Sequence, residues 1–60
     1  MSLIESTDNI VLLRNTAKTI HELAQRLYSE SNDFPAVNRN AKRVLASIEL
    51  IQINLEEFDQ

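Results

Sequence analysis

Apolar side chains return at intervals of three and four residues along two stretches of this chain. The first runs Ile10, Leu13, Ala17, Ile20, Ala24, Leu27, and the second Phe34, Val37, Ala41, Val44, Ile48, Ile51, Leu55, Phe58. Such spacing puts each set on one face of an α-helix. Between them stand Ser31, Asn32 and Asp33, whose short side chains bond to nearby backbone and favour turns, followed closely by Pro35. The pattern predicts helix 1 over about residues 8–31, a turn over about 32–34 and helix 2 over about 35–57. The expected fold class is all-α: one domain spanning 1–60, an antiparallel two-helix hairpin that assembles as a dimeric four-helix bundle.

Local signals fill in the hairpin. Met1 to Ser6 read as a loose arm, with Ser6, Thr7 or Asp8 available to cap helix 1. Asp33 is the expected cap of helix 2, with Pro35 in the first turn, where its missing N–H costs nothing. Phe34 and Phe58 read as plugs at the two ends of the second stripe. A turn near Asn32 or Asp33 sets Ala17 opposite Ile48 and Ala24 opposite Ala41, so the helices approach closely near the tip. Arg39, Lys42 and Arg43 then fall beside Glu22 and Glu30, while Glu49, Glu56 and Glu57 return toward Arg14 and Lys18. Cations in the first half of helix 2 and acids in its last turn both oppose the helix dipole. Cross-helix pairing is the expected compensation.

A second apolar line changes the picture. Ala46, Leu50 and Ile53 lie on the side of helix 2 opposite its main stripe. On helix 1, Leu12 and Leu23 flank the seam on one side, and Ile10 and Tyr28 on the other. One facing helix cannot cover two opposite faces. Complete burial of Leu50 or Ile53 is worth about 1.5–3 kcal/mol each before the costs of association. Ala46, Leu50, Ile53, Leu12, Leu23 and Tyr28 are therefore the candidate interface residues, and a second copy of the chain is the expected partner, with another protein as the alternative.

Composition narrows the rest. Sixty residues support only a thin core, and chains this short usually need a staple. There is no cysteine for a disulfide or a thiolate metal site, and a single histidine cannot form a cluster. Glycine is absent too, which removes phosphate-cradling loops and the usual helix C-cap. A partner chain is the remaining staple. His21 lacks a second histidine for zinc, and Glu56, Glu57 and Asp59 have no pocket to separate their acidities. The expectation is a chain with no catalytic residues, no metal site and no cofactor. Net charge is −3, which weighs against nucleic acid and anionic membranes, and no apolar run resembles a leader or a span. A cytoplasmic location is expected. The runner-up function is a nucleic-acid-binding regulator whose Arg39, Lys42 and Arg43 touch phosphates.

Overall fold

In the computed structural model, the backbone is described over residues 3–57 and the side chains over residues 9–57. Two helices, α1 (Leu3–Glu30) and α2 (Pro35–Glu56), form a small all-α hairpin. Its dimensions are 49 × 15 × 14 Å. The helix α1 begins at Leu3, upstream of the expected start, so residues 3–6 are helical rather than a loose arm. No proline or glycine interrupts this stretch. The expected cap side chains at Ser6, Thr7 and Asp8, and the Phe58 plug, lie outside the described side chains.

The turn is built differently from the expectation. Phe34, not Asp33, occupies the N-cap position, and no side chain caps α2. Asp33 lies one residue too early, because Pro35 takes N1 with its preset φ. Backbone bonds do the closing: Phe34 N–H donates to Ser31 O at 2.9 Å, and Asn38 N–H donates to Phe34 O at 2.8 Å. The Phe34 ring is 61% exposed and does not plug the core.

The tip is instead sealed by polar groups. Asn38 Nδ2 donates to Tyr28 O at 2.9 Å and approaches Ser31 Oγ at 3.3 Å. Ser31 Oγ also donates to Tyr28 O at 3.2 Å. A helix end leaves carbonyls without intrahelical partners, and a glycine-free chain cannot supply the usual left-handed cap. Ser31, only 3% exposed, and Asn38 perform that role and tie the end of α1 to the first turn of α2. Asn38 is thus a tip residue rather than plain surface.

The seam between the helices is narrow. Ala17, Ala24, Ala41, Ile48 and Leu55 are its buried apolar side chains, and Ala17, Ile48 and Leu55 touch as one cluster. Small residues seven apart, Ala17 and Ala24 on α1 and Ser31 just after it, let the helices come close. Apart from Ile48 and Leu55, the larger members of the same stripes are excluded from it. Three residues advance a helix by about 300°, so Leu13, Ile20 and Leu27 sit about 60° to one side of the small row. In an antiparallel pair, Val37, Val44 and Ile51 of α2 are offset to the same side. The stripe is split into a buried half and an open half.

Candidate functional site

That open half forms a groove along one side of the hairpin. Leu13, Ile20 and Ile51 line its wider end, with Ala17, Ile48 and Leu55 as its floor. The seven-residue repeat carries it toward the tip through Leu27, Val37 and Val44. The six large side chains, Leu13, Ile20, Leu27, Val37, Val44 and Ile51, remain 42–52% exposed. Leu12 and Leu23 on α1 are also exposed.

The opposite side of the seam is polar. Arg14 Nη2 donates to Leu55 O at 2.9 Å, which ties the last turn of α2 to α1. His21 Nε2 lies 3.2 Å from Glu49 Oε2 across the two helices. Next to them a shallow cleft is lined by Arg14, Asn15, Lys18, Gln52, Leu55 and Glu56. One flank of the hairpin is therefore bridged by hydrogen bonds, and the other is apolar and uncovered.

The sequence-predicted residues do not share one face. Leu12 and Leu23 are exposed on α1 and are not among the residues lining the groove's wider end. Tyr28 is partly exposed, and its carbonyl belongs to the tip network. Ala46, Leu50 and Ile53 lie on the far side of α2, about 180° from its buried row, with Leu50 62% and Ile53 53% exposed. The candidate interface residues thus lie on more than one exposed surface of the hairpin. The groove residues themselves were expected in the hairpin core. The signal that they were not was the alternation of small and large residues in α1, which fixes close approach at the alanines.

The expected cross-helix pairing at the tip is not formed. Arg39, Lys42 and Arg43 are exposed and reach neither Glu22 nor Glu30. Arg26 instead meets Glu30 on its own helix at 3.7 Å. The turn explains this geometry: Arg39 and Arg43 point away from α1, on the same side of α2 as Ala46 and Leu50. Among the described residues, no cluster of histidine, aspartate or glutamate could hold a metal ion. No helix among them is long and apolar enough to cross a membrane. No family model, curated protein or solved structure matches the chain. What the arrangement offers chemically is apolar surface on two sides, with a cationic patch continuing one of them.

Proposed function

We propose that this chain is a noncatalytic association module: two hairpins pack groove to groove into a four-helix bundle. The observation that carries this reading is the split stripe, with half of each helix's regular apolar row open along a single flank. The chain exposes 4974 Å², more than the about 4,000 Å² usual for a compact monomer of 6.9 kDa, because a two-helix rod leaves much of its side surface open. A second copy also matches the groove in length and in repeat, because the same seven-residue spacing faces it from the other side.

A dimer held in this way unfolds at a temperature that rises with protein concentration. Circular dichroism melts over a hundredfold concentration range should show that dependence. Ile20→Asp places a charge in the middle of the groove and should abolish it, leaving a weakly helical monomer. Melting that is independent of concentration in the parent chain, or unaffected by Ile20→Asp, would rule the groove interface out.

A further inference from the structure

A six-residue stripe along the outer face of α2, ending at its C-cap Glu57, remains uncovered when the grooves pair. Arg39, Arg43, Ala46, Leu50, Ile53 and Glu57 are all exposed. Their spacings are four, three, four, three and four, the rhythm of a helix that packs against another helix. They fall within an arc of about 80° centred opposite the Ala41, Ile48 and Leu55 row. None of them serves the hairpin: the cations reach no carboxylate, and the leucine and isoleucine touch no core cluster. Three cations in the first half of α2, with no acid in its first turn, also work against the helix dipole.

The stripe is complementary to itself when reversed. A two-fold axis crossing the outer face at the height of Ile48 brings Arg39 of one copy opposite Glu57 of the other. The same operation sets Ala46 against Leu50, small against large, and Arg43 against Ile53. The arginine stem covers the isoleucine while its guanidinium stays in water. From this pairing we propose that the outer face of α2 is a second self-association surface, on which the α2 helices of two dimers lie antiparallel. The inference rests on the groove dimer for its building block, but it uses none of the groove residues. Its apolar area is small, so this step is weaker than dimerisation and appears at higher concentration. Because the axis repeats every contact, the Arg39–Glu57 pair acts twice. Acid facing cation from end to end also selects the antiparallel direction, since a parallel arrangement would set Arg39 against Arg39.

Charge reversal separates this surface from the groove and from other partners. Sedimentation velocity up to millimolar protein should show species beyond the dimer in the parent chain. Arg39→Glu and Glu57→Arg should each raise the dissociation constant of that later step roughly tenfold. The double variant should return it to within about threefold of the parent, because the pair is rebuilt in reversed sense. Leu50→Asp should remove the later step and leave the dimer intact. These positions are exposed, so helix content by circular dichroism should be unchanged in all four variants. The proposal is overturned if the parent stops at dimer, or if the larger species persist in Leu50→Asp. It is equally overturned if the charge-reversal double variant stays as weak as the singles. A parent chain that stops at dimer but binds duplex RNA or DNA, with loss on Arg39→Glu, would assign the cations to phosphates instead. Failure of the groove reading shows separately, as loss of concentration-dependent melting at low micromolar protein.

Discussion

Asn38 joins the two helices through side-chain bonds to Tyr28 O and Ser31 Oγ. Replacing it with alanine leaves the end of α1 short of donors and should lower stability by about 1 kcal/mol, read from chemical denaturation at fixed protein concentration. The alanines of the seam are constrained more tightly. Ala24→Leu forces extra volume between helices in closest contact and should cost about 1–3 kcal/mol; an equal change at exposed Ala46 should not destabilise the hairpin. The Ala46 comparison belongs at low concentration, where the proposed contact through the outer face of α2 is absent. Part of this was legible beforehand. The burial of Ala17, Ala24 and Ala41 follows from the stripe. The role of Asn38 does not, because asparagine one turn into a helix ordinarily faces water. The clue was indirect: without glycine, some other group had to satisfy the α1 carbonyls.

At the level of elements, the position and direction of both helices follow from apolar period, turn chemistry and Pro35. The caps follow less well. Asp33 has the right side chain for an N-cap, but Pro35 at N1 shifts that position onto Phe34, which has no acceptor to offer. Phe34→Asp supplies one to the first-turn N–H groups and should stabilise α2 by about 0.5–2 kcal/mol. Asp33→Ala should change stability by far less than the loss of a true cap, and paired thermal melts would show the contrast. The charges of α2 were legible as an anomaly but not in their resolution. Distance along the chain puts Arg39 and Arg43 level with α1's acids in height, but their angle, about 160° from Ala41, turns them outward.

For the whole molecule, the decisive feature is the share of each stripe that one partner helix can cover. A hairpin measuring 49 × 15 × 14 Å has a radius of gyration of 14.4 Å, against about 10 Å for a compact chain of this length. Such a rod cannot wrap around its own apolar flank. Sequence periodicity reveals that the helices pair, but not which row the pairing buries, because rows offset by about 60° share one stripe. The alanine row of α1 decides it: the helices close on Ala17 and Ala24 against Ala41, Ile48 and Leu55, and the six large groove side chains stay open on one flank. Sedimentation equilibrium at low micromolar concentration tests the proposed groove pairing most directly. Groove pairing predicts a mass twice the 6.9 kDa of the chain, reduced to the single-chain value by Val44→Asp. A helical, cooperatively melting species of single-chain mass across the whole concentration range would contradict it.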